Sequence, residues 1–363
     1  MDMNNLNKNR KKFKNLIHQT HTPLPHWQRP NMTGLPIMKN GRRKWSAVFA
    51  GWIVLMGVAL GAGLKSGRCS IPAGWHAEQK QGKVETDSLV NDSLTESIHL
   101  LAEVANSVPK SFRNTKENTI HDAEYLRPIA ELLLRDEHPL RILHIGDSHV
   151  ASKVFPNTVK ATLAHYLGSA DSASAGSGIW YNYIAKNGAS NQTFNTDAYM
   201  SRFAQKHPDL IILSLGTNEA HGMGYREAQH RKELTGFLEK LKSNCPDAVI
   251  LMTTPPGDYL TYSYVDYRKT SRSNQKVRQV HRGRKPNPMS AKCAAFLVQM
   301  GHENQIPVWD MFTICGGAEV AQRNWVTAHY MRPDKIHFVP EGYTVQAKIL
   351  GEALVNSLAQ FNF

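Results

Sequence analysis

Cysteine is scarce in this chain of 363 residues. Its four cysteines, Cys69, Cys245, Cys293 and Cys315, show no C-x-x-C spacing, which argues against a structural zinc site and a disulfide-dense scaffold and leaves room for two bridges at most. Acid is nearly missing from the first 44 positions, which hold ten Lys/Arg against Asp2 alone. The formal charge of +13 therefore reports mainly on that tail, because the remainder carries 33 basic and 29 acidic side chains, an ordinary balance for a folded domain. Apolar residues at 41%, with 7 Trp, 12 Tyr and 12 Phe, exclude wholesale disorder. The length excludes a lone small module.

Charge is also absent from residues 45–64, WSAVFAGWIVLMGVALGAGL, a run that as a helix spans about 30 Å of hydrocarbon. Arg42, Arg43 and Lys44 stand directly before it, and the flanking-charge rule puts the N-terminus in the cytoplasm and the rest outside. Four regions are expected: a basic cytoplasmic tail (1–44), a transmembrane anchor or signal segment (45–64), a stalk with short helices (65–138) and a catalytic domain (139–363). Met38 as an alternative start, with small residues near Ala59 to Gly63, keeps a cleaved signal peptide open. Export sets nucleic acid aside as a partner and leaves the membrane as one.

Beyond Pro139 short apolar strands alternate with helical stretches. Strands are expected at 141–145, 180–185, 210–215, 249–253 and 308–310, and helices at 156–167, 196–206, 226–242, 290–301 and 341–358. Such alternation means a mainly parallel sheet covered on both faces, with the ligand crevice beyond the carboxyl ends of its strands. Residues 260–288 read as an insert, and the eight Lys/Arg between Arg268 and Lys285 as a solvated loop, with an electrostatic grip on an anionic envelope polymer as the alternative.

Three strand ends or turns carry chemistry. The first strand runs into Gly146-Asp147-Ser148-His149, and a later one into Gly216-Thr217-Asn218-Glu219. Near the C-terminus Asp334-Lys335-Ile336-His337 spaces a carboxylate from an imidazole by one turn. A serine hydroxyl needs a base in hydrogen-bond reach and a third group to orient that base. His337 and Asp334 supply those roles for Ser148. The oxyanion of an ester's tetrahedral intermediate needs aimed N–H donors, and Asn218, the Ser148 backbone and Gly188 are the candidates. His149 is expected to be structural or to touch substrate, and His221 is a second candidate substrate contact. The scheme needs no cofactor and no metal.

These blocks resemble the SGNH (GDSL-type) hydrolase family over about residues 140–358. Gly146-Asp147-Ser148 matches the first block, with His149 where the older consensus has Leu; Gly188 matches the second, Gly216-Thr217-Asn218 the third, and Asp334 with His337 the last. The resemblance implies a flavodoxin-like three-layer α/β/α fold with a mainly parallel sheet, here preceded by one N-terminal transmembrane helix. It implies a serine esterase of the bacterial cell envelope that removes small acyl groups, acetyl first, from carbohydrate or envelope glycan. The domain would be periplasmic on an inner-membrane anchor, or secreted if the segment is cleaved. Three alternatives stay open: O-acyl transfer to a glycan beside a membrane-bound acyltransferase, metal-dependent phosphoester hydrolysis, and a non-catalytic glycan-binding module.

Overall fold

The protein is described by a computed structural model covering residues 106–361, except 175, 176, 223, 271 and 272. Residues 45–64 lie outside that range. Among the described residues, no helix is long and apolar enough to cross a membrane.

In chain order the elements begin with β1 (Ile120–His121), α1 (Arg127–Arg135), β2 (Leu140–Gly146), α2 (Ser148–Ala151), α3 (Val154–Leu167) and β3 (Ile179–Ala185). Then come α4 (Asn191–Phe194), α5 (Asp197–Ala204), β4 (Leu210–Ser214), α6 (Thr217–Ala220), α7 (Glu227–Asn244) and β5 (Val249–Thr253). The last are β6 (Tyr259–Thr270), β7 (Ser273–Pro286), α8 (Pro288–Asn304), β8 (Val308–Trp309), α9 (Met311–Ile314), α10 (Val320–Thr327) and α11 (Pro340–Ala359).

The main sheet has the order β1-β8-β5-β4-β2-β3. All its pairings are parallel except that of the edge strand β1 with β8. The five parallel strands thus follow the order 2-1-3-4-5 of a flavodoxin-type sheet. Their sequences are nearly continuous apolar runs because both faces are covered. Leu140, Ile142, Leu210, Ile212 and Leu251 point into a core shared with α3 and α11. The intervening Leu143, Ile145, Ile211, Leu213, Ile250 and Met252 pack on the other side with α5, α7 and α8. The helices α3 and α11 approach closely at Gly351, where an added Cβ would lie 2.6 Å from Thr162 Cγ2.

The five parallel strands fall where the alternation predicts them, within a residue or two. The segment read as stalk and short helices contributes β1, α1 and the buried Phe112 to the packed structure. Cys245, Cys293 and Cys315 are buried free thiols.

The largest departure from the sequence reading is at 259–286, where the expected loop is a long antiparallel hairpin, β6 with β7, in a sheet of its own. Its strand period is carried by tyrosines and basic residues rather than by an apolar alternation, so hydropathy alone gave no strand signal.

Candidate active site

Gly146 ends β2, and only glycine fits there. A Cβ at that position would lie 2.2 Å from Val150 Cγ2 and 2.9 Å from the Ser214 carbonyl oxygen, so α2 can fold back tightly against the strand end. Asp147 caps α2 by accepting the His149 backbone N–H at 2.9 Å, the local turn-shaping role expected of it. Burial pushes its carboxyl up to about 6, against the lowering effect of the His149 N–H and the Thr217 hydroxyl. Ser148 is left at the first helical position, at the carboxyl edge of the sheet.

The C-terminal turn completes the approach. Arg332 donates its N–H to the His337 carbonyl at 2.8 Å, and Lys335, at φ 59°, closes the turn by donating to Arg332 at 3.0 Å. Asp334 Oδ1 accepts the backbone N–H groups of Ile336 and His337, both at 2.9 Å, and its Oδ2 lies 3.0 Å from His337 Nδ1. Burial raises the Asp334 carboxyl, but these donors outweigh it and hold the group below the ordinary aspartate range. On the far side of the ring, His337 Nε2 lies 3.0 Å from Ser148 Oγ. Ser148, His337 and Asp334 are thereby brought into one hydrogen-bonded line.

Asn218 sits in α6 directly after Gly216, whose φ of 116° belongs to glycine's range. Its Nδ2 donates to the Ala189 carbonyl at 2.8 Å, which fixes the amide plane. The same nitrogen lies 3.4 Å from Asp147 Oδ2, long for a bond, so one of its two hydrogens is held only loosely. Gly188, at φ 71°, occupies the turn whose carbonyl at Ala189 anchors that amide. The Gly188 turn and Asn218 therefore meet, through one bond, beside Asp147.

His149 lies beneath the surface rather than on it. Its ring is buried, with its centroid 5.8 Å from that of His337 and its Nδ1 3.3 Å from the Tyr343 hydroxyl. Burial, assisted by the charge of His337, pushes its imidazole down to about 3, and among the described residues Nε2 has no partner. Of the two roles expected for His149, structural support and substrate contact, its position fits the first, packed under the Asp334–His337 turn. His144, in β2, is likewise neutral and internal, bonded to the Tyr181 hydroxyl at 2.6 Å and to Ser214 Oγ at 2.8 Å.

Two carboxylates that the motif reading passed over hold the site's walls. Glu219 accepts the Asn191 backbone N–H at 2.8 Å and side-chain Nδ2 at 2.9 Å, and the Gly216 N–H at 3.0 Å. These bonds oppose the effect of burial, which nonetheless pushes its carboxyl up to about 7. Asp258 is buried and accepts Asn287 Nδ2 at 2.8 Å and Ser290 Oγ at 2.9 Å, while its second oxygen bonds His221 Nδ1. His221 keeps 43% of its side chain exposed. Glu219 was legible as the end of the Gly-Thr-Asn-Glu capping pattern; Asp258, 37 residues from its histidine, had no sequence signal. Among the described residues, no group of three or more His, Cys, Asp or Glu is placed to hold a metal ion.

The profile of the GDSL-like lipase/acylhydrolase family matches residues 144–345. Among solved structures, the chain is similar to a peptidoglycan O-acetylesterase at 14% identity, over 69% of this chain and 98% of that one, with a TM-score of 0.49. It is also similar to a GDSL-like lipase from Bacteroides thetaiotaomicron VPI-5482 at 14% identity, over 64% and 98% of the two chains, with a TM-score of 0.36. A lipase from a goat rumen metagenome is 15% identical over 59% and 97%, with a TM-score of 0.37. No curated protein matches the chain. Since the family match spans more than half of its length and holds Ser148, Asn218, Asp334 and His337 in order, this chain belongs to the GDSL-like lipase/acylhydrolase (SGNH hydrolase) family and is an enzyme acting on ester bonds.

Proposed function

We propose that the protein is an exported serine esterase that removes small acyl groups, acetyl foremost, from carbohydrate or cell-envelope glycan. The observation that carries the reading is the Asp334–His337–Ser148 line, with 3.0 Å at each of its two side-chain links. As Ser148 Oγ attacks the ester carbonyl, His337 Nε2 takes its proton, and Asp334 stabilises the imidazolium and holds the tautomer. The oxyanion is met by the loosely held Asn218 hydrogen with the backbone N–H groups of Ser148 and Gly188. Collapse breaks the bond to the alcohol oxygen, which leaves with the proton from His337. Water, deprotonated by the same ring, then attacks the acyl-serine and releases the carboxylic acid and the free hydroxyl.

Export rests on the uncharged run at 45–64 behind Arg42, Arg43 and Lys44, which would anchor the domain on the outer side of a membrane. His221, on the rim beside Asn218, is the side chain with the exposure needed to touch substrate.

Ser148→Ala should lower hydrolysis of p-nitrophenyl acetate by at least about 10³-fold with an unchanged thermal midpoint. A fluorophosphonate should label the wild-type chain on the peptide containing Ser148. Unchanged turnover in the variant, or labelling elsewhere, refutes the assignment. Release of free acetate from an acetylated glycan supports hydrolysis, whereas appearance of the acyl group on an added glycan acceptor would show transfer.

A further inference from the structure

The β6–β7 hairpin stands apart from the sheet and is built with two unlike faces. One carries Tyr262, Tyr264 and His281, whose rings stack: Tyr264 lies 4.8 Å from His281 at 13°, and 6.4 Å from Tyr262 at 11°. Tyr262 covers Gly283 opposite it, where an added Cβ would lie 2.6 Å from the ring. This ladder braces the ribbon by cross-strand contact.

The other face carries Lys276 and Arg278, then Arg282 and Arg284, on β7, the two basic pairs being separated by the exposed Val265–Val280 pair, with Tyr267 opposite Arg278. Thr261 and Ser263 lie opposite Arg284 and Arg282, short side chains that leave the Arg282 guanidinium uncovered from across the ribbon. The only acid in 259–286 is Asp266, which pairs with Arg268, on the ring-bearing face. Among the described residues, no carboxylate pairs with Lys276, Arg278 or Arg282. A two-stranded ribbon with no covering layer is marginal by itself, and like charges on one face weaken it further. A bound polyanion removes that repulsion.

The stripe ends at the active site. Arg284 donates to the Pro333 carbonyl, one residue before Asp334, and the Tyr259 N–H donates to the Lys335 carbonyl at 3.0 Å. The two feet of the hairpin are clasped by Asp258 and Asn287, and Asp258 also holds His221, just past the helix that carries Asn218.

We propose that the hairpin is a polyanion-binding arm that holds a carboxylate-bearing glycan chain along its Lys276–Arg278–Arg282–Arg284 face and leads its esters to Ser148. Charge complementarity selects an anionic chain. The choice of a glycan over other polyanions rests on the esterase reading, since acyl esters decorate hydroxyl-rich polymers.

Affinity electrophoresis of the full-length protein in detergent tests this, with polygalacturonate as the probe and dextran as its neutral counterpart. Wild type should be retarded by polygalacturonate, not by dextran, and the retardation should weaken with added salt. Arg278→Glu with Arg282→Glu should weaken binding by about tenfold, while Arg278→Lys with Arg282→Lys keeps most of it. Circular dichroism reports whether each variant is folded. Lys11→Glu with Lys12→Glu changes net charge equally in the basic tail and should leave retardation near wild type.

Equal retardation of the hairpin reversal, equal loss in the tail reversal, or tighter binding to single-stranded DNA or phosphatidylglycerol vesicles than to polygalacturonate overturns the proposal. Ser148→Ala should be retarded as wild type is, so failure of the arm and failure of the esterase reading are seen separately.

Discussion

Two histidine–aspartate pairs stand at the carboxyl end of the sheet, and they are built in opposite senses. In the Asp334–His337 pair both residues come from one tight turn, the carboxylate is 44% exposed, and two backbone N–H groups hold it. In the Asp258–His221 pair the carboxylate is only 3% exposed and is held by Asn287 and Ser290, while the imidazole faces outward. What separates their roles is the second ring nitrogen. His337 aims Nε2 at Ser148 Oγ; among the described residues no serine hydroxyl meets the second nitrogen of His221. A His–Asp pair is therefore not catalytic by composition. In the proposed mechanism the first pair completes a proton path, whereas the second ties the Asn218 helix to the foot of the hairpin.

Substitutions should split the two. His337→Ala, which removes the proposed base, should lower kcat/KM for p-nitrophenyl acetate by about 10³-fold or more with little change in thermal midpoint. If His221→Ala costs as much, the two pairs do not differ in role. Asp258→Ala should act on stability first. Stripping the acceptor from Ser290 and His221, and one of two acceptors from Asn287 Nδ2, should cost about 3 kcal/mol in chemical denaturation, with activity lost in proportion to folded protein. His221→Ala should have the smallest effect, under about tenfold in kcat/KM, as expected for an exposed contact outside the proton path.

The buried groups around these pairs set a pH dependence of stability. His144, His149 and His230 are pushed down by burial to about 3, 3 and 4. The unfolded chain therefore takes up protons first as pH falls below about 6.5, and stability drains. Asp147 and Glu219, raised to about 6 and about 7, work in the opposite sense, because the folded state takes up protons first between those values and about 4. The two carboxyls offset part of what the three imidazoles lose at mildly acidic pH, whereas below about pH 4.5 the imidazoles act without that offset and Asp334, whose carboxyl is held low, loses stability in the same direction. The thermal midpoint should fall gently from pH 6.5 to 5 and steeply from 4.5 to 3. A midpoint that falls uniformly from pH 7 downward would contradict this balance.

Much of the frame was legible because its signals are local. Apolar runs such as Leu210–Ser214, flanked by helical periodicity, mark parallel strands wherever both faces are covered. Gly146-Asp147-Ser148 and Asp334-x-x-His337 carry their own turn geometry, so their residues could be picked out without knowing what they meet. The hairpin was missed because period two was written in Arg, Lys and Tyr instead of apolar residues. The choice between structural support and substrate contact for His149 was not legible, because adjacency to Ser148 in a helix says little about depth when the helix folds back on a strand.

The sequence by itself determined the alternating α/β plan, the serine, amide and acid–base turns, and the family to which they belong, since each depends on contacts between near neighbours in the chain. Only the tertiary structure decided that Ser148 Oγ and His337 Nε2, 189 positions apart, come to 3.0 Å, that Asp258 belongs to His221, and that a basic ribbon is rooted beside the catalytic turn. Those are pairings between distant segments, and they are set by how helices and strands pack into one sheet, a quantity no local window of residues contains.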